Sequence, residues 1–124
     1  VHRGAETDVF PFIPKSKHPT IATYTSTRWG HLLDADKMPP GEVPLIARDC
    51  YRYALSNPAV DMVIAGPANG DQMEEALSAL EAGPLEPDER ARIERIGAHI
   101  YAQYASQYPD AGDAEDVSSG HAAQ

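Results

Sequence analysis

Residues that stabilise small proteins covalently or anchor them in membranes are scarce in this sequence. Cys50 is the one cysteine among 124 residues, which excludes an intrachain disulfide framework and a four-thiolate metal site. No apolar stretch approaches the ~20 residues of a membrane span. Residues 1–12 are mixed polar and lack an apolar core segment, so we expect no signal peptide there. Basic residues are also few: 10 Lys and Arg face 19 Asp and Glu, a formal charge of −9. This balance argues against nucleic acid or an anionic membrane as a partner, because both would repel the chain.

The length and composition of the sequence indicate one folded body followed by a tail. The length fits one domain or a piece of one, and 42% of the residues are apolar, which permits a packed core. The chain begins with Val1 rather than Met, so we expect it to have been processed or to start upstream. Residues 106–124 hold four acids and no Lys or Arg, a composition that cannot bury enough apolar surface to order itself. We therefore expect a body over 1–105 and a disordered acidic tail over 106–124.

Strand and helix patterns alternate along the body. The predicted elements are a helix end within 4–10, strands over 20–25 and 60–65, a long loop over 30–44, and helices over 44–56, 70–82 and 87–104. The second strand is nearly all apolar, which is typical of strands buried on both faces of a parallel sheet. Such alternation indicates an α/β fold. Two parallel strands alone would leave two open edges, so we expect them to belong to a larger sheet.

Helical spacing predicts which side of each helix is buried. The expected apolar faces are Leu45, Ile46, Cys50, Tyr53 and Ala54 in the first of the three longer helices; Met73, Ala76, Leu77 and Leu80 in the second; and Ile93, Ile96, Gly97, Ile100 and Tyr104 in the third. Cys50 lies on such a face, so we interpret it as a buried structural thiol. No spacing of His, Cys and Asp predicts a metal site.

Two segments resemble the aldo/keto reductase family. Residues 56–77, SNPAVDMVIAGPANGDQMEEAL, resemble its last strand and the helix that follows, and residues 23–30, TYTSTRWG, resemble its seventh strand and the loop after it. Residues 2–6 are similar to the segment that follows its sixth strand, so the resemblance covers roughly residues 1–102. It implies the C-terminal third of a (β/α)₈ TIM barrel, a fold that needs about 250 residues.

The resemblance also implies an activity. It is the NADP(H)-dependent reduction of a small carbonyl substrate, with hydride passing from the nicotinamide, by a cytoplasmic enzyme. The catalytic Tyr, Lys, Asp and His of the family come from earlier strands, and no residue of this chain stands in a matching position, so the isolated chain should be inactive. An alternative is a non-catalytic nucleotide-binding or regulatory protein built on a reductase-like barrel.

Cofactor binding is the property that the resemblance places in this chain. Its implied contacts are Thr25, Ser26, Thr27, Arg28 and Gly30 after the seventh strand, and Gly66, Ala68, Gln72, Glu75 and Ala76 after the last. A glycine-containing turn that opens a helix presents free N–H groups to a phosphate. A glutamine amide can both donate to and accept from an adenine edge, and an arginine fork suits a pyrophosphate.

Other interpretations of these residues stay open. Segment 66–76 has no Lys or Arg for a 2′-phosphate, so NAD is an alternative to NADP. Gly66 also suits an ordinary β-to-α turn, Gln72 and Glu75 suit a solvated helix face, and Arg28 suits a surface position. The string IPKS at 13–16 copies a phosphate-binding segment of some family members, but it precedes a strand, and we interpret it as a loop.

Overall fold

A two-stranded parallel sheet and four α-helices make up the part of the chain that the structure, a computed structural model, describes: residues 3–107. The elements in chain order are α1 (Arg3–Asp8), β1 (Ala22–Thr23), α2 (Ala47–Leu55), β2 (Met62–Val63), α3 (Gly70–Ala82) and α4 (Pro87–Gln107). Short 3₁₀ turns cover Phe10–Phe12, His31–Leu33 and Ala35–Lys37. Of the predicted tail, 106–124, the part from residue 108 onward lies outside the described residues.

The two strands and the helix between them form a β–α–β unit. Ala22 pairs with Met62 in a parallel register, and α2 belongs to the connection that parallel strands require. The carboxylate of Asp61 accepts a hydrogen bond from the N–H of Ile21 at 2.8 Å, and the carbonyl of Ile21 accepts from the N–H of Asp61 at 3.0 Å. This exchange ties the beginning of one strand to the beginning of the other.

Both predicted strands are found in place, and regular pairing covers two residues of each. The expectation that the second strand is buried on both faces is wrong for the described chain. Met62 and Ile64 are 51% and 54% exposed, because no element among residues 3–107 covers that side. The sheet therefore ends in open edges with apolar side chains beside them.

Helix α3 begins and ends where its flanking residues predict. Asn69 accepts a hydrogen bond from the N–H of Gln72 at 3.0 Å, which caps the first turn. Gly83, with a φ of 72°, follows the last residue. Such a backbone is open to glycine and strained for most other residues. The bounds therefore coincide with the predicted 70–82.

The predicted apolar face of α3 is contradicted by its packing. Met73, Leu77 and Leu80 are 45%, 55% and 70% exposed, and Ala79 is the buried residue of this helix. Helix α3 packs against α2, and the small Ala79 side chain permits close approach. The larger apolar side chains remain exposed because no other described element packs on them.

The hydrophobic core lies between α2, α4 and the segment that leads into α2. Its buried members are Leu45, Cys50, Tyr53, Ile93, Ile96 and Ile100, with Leu32, Met38 and Leu85 partly buried against them. The predicted faces of the first and third helices are thus largely confirmed. Ile46 and Tyr104 are the exceptions, at 44% and 40% exposed. Ile46 is exposed because α2 begins at Ala47 and Ile46 has an extended backbone, φ −102° and ψ 152°.

Helix α4 starts at Pro87, as predicted, and runs three residues beyond the predicted end near Tyr104. Glu89 accepts the N–H of Glu86 at 2.8 Å, a cap for the first turn. Ser106 and Gln107 belong to the helix, whereas the sequence assigned them to the tail. The segment before them is rich in alanine, a strong helix former, and has no glycine or proline to stop the helix.

Arg52 joins α2 to the turn between α3 and α4. Its Nε donates to the carbonyl of Gly83 at 2.9 Å and its Nη2 to the carbonyl of Pro84 at 2.8 Å. The two Nη atoms also form a fork on the carboxylate of Glu89, both at 3.1 Å, and Nη1 donates to Asp49 at 3.1 Å. All five N–H donors of the guanidinium therefore have an acceptor, although the side chain is only 7% exposed.

The carboxylate of Glu6 attaches helix α1 to two other parts of the described chain. Glu6 accepts from Nη2 of Arg90 at 2.8 Å and from the amide of Asn57 at 3.2 Å. These bonds join α1 to α4 and to the turn after α2. The predicted helix end before Pro11 is confirmed, and the IPKS string forms an irregular loop, as expected.

Candidate functional site

Two adjoining clefts lie at the ends of the strands. The first, which we call the wide cleft, has a volume of about 310 Å³. It is lined by Tyr24, Thr25, Ser26, Thr27, Trp29, Tyr51, Ile64, Ala65 and Gly66. The second, the narrow cleft, has a volume of about 160 Å³ and is lined by Thr27, Leu33, Ala47, Tyr51, Gly66, Pro67, Gln72 and Glu75.

The loops after β1 and β2 meet at these clefts because the two strands are parallel. The carboxyl ends of parallel strands lie at one edge of a sheet, where α/β folds place their ligands. Thr27 from the first loop, Gly66 from the second and Tyr51 from α2 line both clefts. The two clefts therefore form one continuous site with a larger and a smaller part.

The structure brings together six of the ten residues named as cofactor contacts. Thr25, Ser26 and Thr27 line the wide cleft, Gln72 and Glu75 line the narrow one, and Gly66 lines both. The other four, Arg28, Gly30, Ala68 and Ala76, are not among the lining residues of either cleft.

The loop after β1 has an unusual backbone. Thr25, Arg28 and Trp29 have φ values of 55°, 51° and 52°, and Gly30 has a φ of 82°. Left-handed backbone is a clear outlier for a β-branched residue such as Thr25. Residues in such conformations persist where surrounding structure fixes them, and they cluster at functional sites.

Ser26 is a buried polar residue in the wall of the wide cleft. Its exposure is 9%, and its hydroxyl has no hydrogen-bond partner among residues 3–107. An unpaired buried hydroxyl costs about 1–3 kcal/mol. Most buried polar groups in folded proteins are paired, so an unpaired one in the wall of a cleft requires an explanation.

Gln72 and Glu75 line the narrow cleft and also accept backbone N–H groups near the starts of α3 and α2. Oε1 of Gln72 accepts from the N–H of Ala68 at 2.8 Å. Oε1 of Glu75 accepts from the N–H of Ala47 at 3.0 Å, which caps the start of α2. The Nε2 group of Gln72 makes no hydrogen bond with the described residues, so it can donate to a ligand.

Arg28 extends away from the clefts. Its guanidinium lies over the rings of Tyr101 and Tyr104 on α4, 5.7 and 5.3 Å from their centroids. The clefts therefore have no cation among their lining residues, and Glu75 is their one carboxylate.

Tyr51 lines both clefts and is one of several lining residues that are not among the ten predicted contacts. Burial, reinforced by neighbouring Cys50 and Glu75, raises the pKa of its hydroxyl above the ordinary 10, so it is a neutral hydrogen-bonding group at physiological pH. A signal was available in the sequence. The helix that follows the first strand begins at the ligand-binding edge, so its first two turns lie beside the site.

The arrangement suits binding by stacking and hydrogen bonding. Tyr24 and Trp29, 70% and 75% exposed, offer ring faces to a planar group. Hydroxyls, one amide and one carboxylate supply polar contacts. No histidine or lysine lines either cleft, so the lining lacks the usual general base.

No family model, curated protein or solved structure matches the chain. Among residues 3–107, no group of three or more His, Cys, Asp or Glu side chains is placed to hold a metal ion. In the same part of the chain, every helix is too short or too polar to cross a membrane.

Proposed function

We propose that this chain is the C-terminal cofactor-binding segment of an NAD(P)H-dependent aldo/keto reductase. The observation that carries the proposal is the meeting of two loops at one site. Residues 25–27, after one parallel strand, and Gly66 and Gln72, after the next, line the same pair of clefts. These are the loops in which the resemblance places nicotinamide dinucleotide.

The exposed apolar surface supports a barrel larger than this chain. Met62 and Ile64 beside β2, and Leu77 and Leu80 on α3, are each more than half exposed. Further strands and helices of a (β/α)₈ barrel would cover such surfaces. We therefore propose that the upstream part of the barrel packs on this side and contributes the catalytic residues.

The residues of the site fit an uncharged planar ring and its polar edges. Tyr24 and Trp29 provide stacking surfaces, and Nε2 of Gln72 can donate to an adenine nitrogen. The unpaired hydroxyl of Ser26 lies in the same wall. When bound, the cofactor supplies the hydride; the residues of this chain hold and orient it. Because no lining residue is cationic, we propose that the site does not strongly prefer NADP to NAD.

An alternative for the chain by itself is nucleotide binding without catalysis. It is favoured because no histidine or lysine lines either cleft. A reductase of the proposed kind would act in the cytoplasm, and cell fractionation tests that part of the proposal. The two functions differ in whether carbonyl reduction follows binding, since both require the same clefts.

A pair of glycine variants tests the site. Gly66 lines both clefts, and a Cβ at this position would meet no atom within 4 Å. Gly66→Leu should therefore fill the clefts without disturbing the fold. Gly70 is equally open but lines neither cleft, so Gly70→Leu is the matched control. The measurement is a fluorescence titration of NADPH and NADH against the wild-type chain and both variants.

The proposal predicts that Gly66→Leu abolishes binding and that Gly70→Leu preserves it. Gln72→Ala, which removes one neutral hydrogen bond worth about 0.5–1.5 kcal/mol, should weaken binding by about 2- to 12-fold. Equal dissociation constants for the wild type and Gly66→Leu would contradict the assignment of the site. Tight NADPH binding with weak NADH binding would contradict the proposed lack of preference.

A further inference from the structure

Arg28 joins the loop that lines the wide cleft to the last turns of α4. Its distances to the centroids of Tyr101 and Tyr104 are 5.7 and 5.3 Å, within the ~6 Å reach of a cation–π interaction. Every other arginine whose side chain the structure describes pairs with a carboxylate. Arg28 contacts two tyrosine faces instead.

The loop held by Arg28 has a backbone that requires support. Left-handed φ values occur at Thr25, at Arg28 itself and at the two residues that follow. Such conformations persist only when neighbouring structure fixes them. The far end of the loop is fixed by Leu32, which packs against the core and donates its N–H to the carbonyl of Thr27 at 3.2 Å. The contact of Arg28 with α4 is the second point of attachment.

We propose that Tyr101 and Tyr104 are positioning residues for the wide cleft. Their rings clamp the guanidinium of Arg28 and thereby hold loop 25–30 in the conformation that shapes the cleft. The last turns of α4 thus regulate ligand binding at a site they do not line. The ligand's identity rests on the proposed function, whereas the clamp itself does not.

Hydrogen exchange of the loop amides tests the clamp directly. The N–H groups of Arg28 and His31 donate to the carbonyls of Thr25 and Arg28 at 2.7 and 3.0 Å, so their exchange reports opening of the loop. In the double variant Tyr101→Leu/Tyr104→Leu, two exposed cation–π contacts are lost, and we expect exchange of these amides to accelerate by about 5- to 30-fold. The amide of Ile96, in the buried part of α4, should be unchanged.

Two further variants separate the clamp from a general effect on the helix. Tyr101→Phe/Tyr104→Phe keeps both ring faces, so its exchange should stay within about twofold of the wild type. Arg28→Met removes the cation and leaves α4 intact, so it should reproduce the acceleration seen in the leucine variant. Gln103→Ala, on the same helix but not in contact with Arg28, is the control.

Three outcomes would overturn the clamp. The first is that the loop amides of Tyr101→Leu/Tyr104→Leu exchange at the wild-type rate. The second is that Tyr101→Phe/Tyr104→Phe accelerates their exchange as much as the leucine variant does. The third is that they exchange at the wild-type rate in Arg28→Met. NADPH affinity is measured on the same proteins and should fall by a similar factor in the leucine variant. If the wild-type chain binds no dinucleotide, the proposed function fails, and the exchange data still decide the clamp.

Discussion

Replacement of Arg52 should destabilise the fold more than replacement of any exposed arginine. Arg52 donates to the carbonyls of Gly83 and Pro84 across the turn between α3 and α4. Hydrogen bonds from a charged group contribute about 1.5–3 kcal/mol each. We count only these two, since Glu89 is 43% exposed and ion pairs with exposed partners contribute little. Because freed carbonyls regain some hydration, we expect Arg52→Ala to lower the free energy of unfolding by about 3 kcal/mol.

Arg48 provides a matched control on the same helix. It pairs with the same carboxylate oxygen of Asp49 as Arg52 does, at 3.2 Å, but its side chain is 38% exposed. Arg48→Ala should therefore cost less than about 1 kcal/mol. Arg52→Lys keeps the charge, but its single ammonium group cannot reach both carbonyls. It should therefore lower the free energy of unfolding by about half as much as Arg52→Ala does.

The assay is urea unfolding followed by circular dichroism at a concentration where the chain is monomeric. From most to least stable, the order should be wild type, Arg48→Ala, Arg52→Lys and Arg52→Ala. If Arg52→Ala and Arg48→Ala unfold at the same urea concentration with the same slope, the buried guanidinium contributes no more to stability than the exposed one, contrary to this prediction.

Burial, charge and exposed apolar surface also determine how the chain responds to reagents, core substitutions, pH and concentration. Burial raises the pKa of the Cys50 thiol to about 12, so its reaction with a disulfide reagent at pH 8 should be at least about 100-fold slower in the folded chain than in urea; equal rates would show an accessible thiol. Ile96 is fully buried, so Ile96→Ala should cost about 2–5 kcal/mol and Ile96→Val about 0.5–1.5 kcal/mol in the same urea assay. The hydrogen bonds from Arg95 and Arg92 hold the pKa of Glu42 below its ordinary 4.5, and the bond from Arg52 does the same for Glu89. Their contribution to stability is therefore complete above about pH 4.5 and declines as the pH falls through the lowered pKa values; Glu42→Gln should flatten the acid side of a plot of urea midpoint against pH, and an unchanged slope would contradict this. The apolar surface exposed on β2 and α3 should make the isolated chain marginally stable or prone to aggregation, which a sharp cooperative melt of a monomer would contradict.

Local signals in the sequence were sufficient for most of the helices. Asn69 and Gly83 bound α3 because capping and left-handed termination depend on neighbouring residues alone. The end of α4 was placed three residues early because no glycine or proline lies between Tyr104 and Pro109, so the helix continues through Ala105 to Gln107. Ile46 was misplaced because the helix predicted from residue 44 begins at Ala47, so Ile46 precedes α2 and does not share its buried face.

The periodicity of the sequence does not predict contacts between residues that are distant in the chain. Arg52 lies beside the apolar stripe of α2, but the two carbonyls that it binds are more than thirty residues away, so no local pattern indicates this pairing. Arg28 was assigned to a pyrophosphate, and its contact with α4 depends on how the last helix packs. The meeting of the two loops could be predicted, because parallel strands place their carboxyl ends at one edge.

An NMR titration shows whether the two clefts bind nicotinamide dinucleotide. The amide resonances of the uniformly labelled chain are followed while NADPH and then NADH are added. We expect saturable shifts at residues 25–27, Gly66 and Gln72, which line the clefts, and small shifts around Ile93 in the core. Absence of shifts at saturating dinucleotide, or shifts confined to residues away from both clefts, would contradict this expectation.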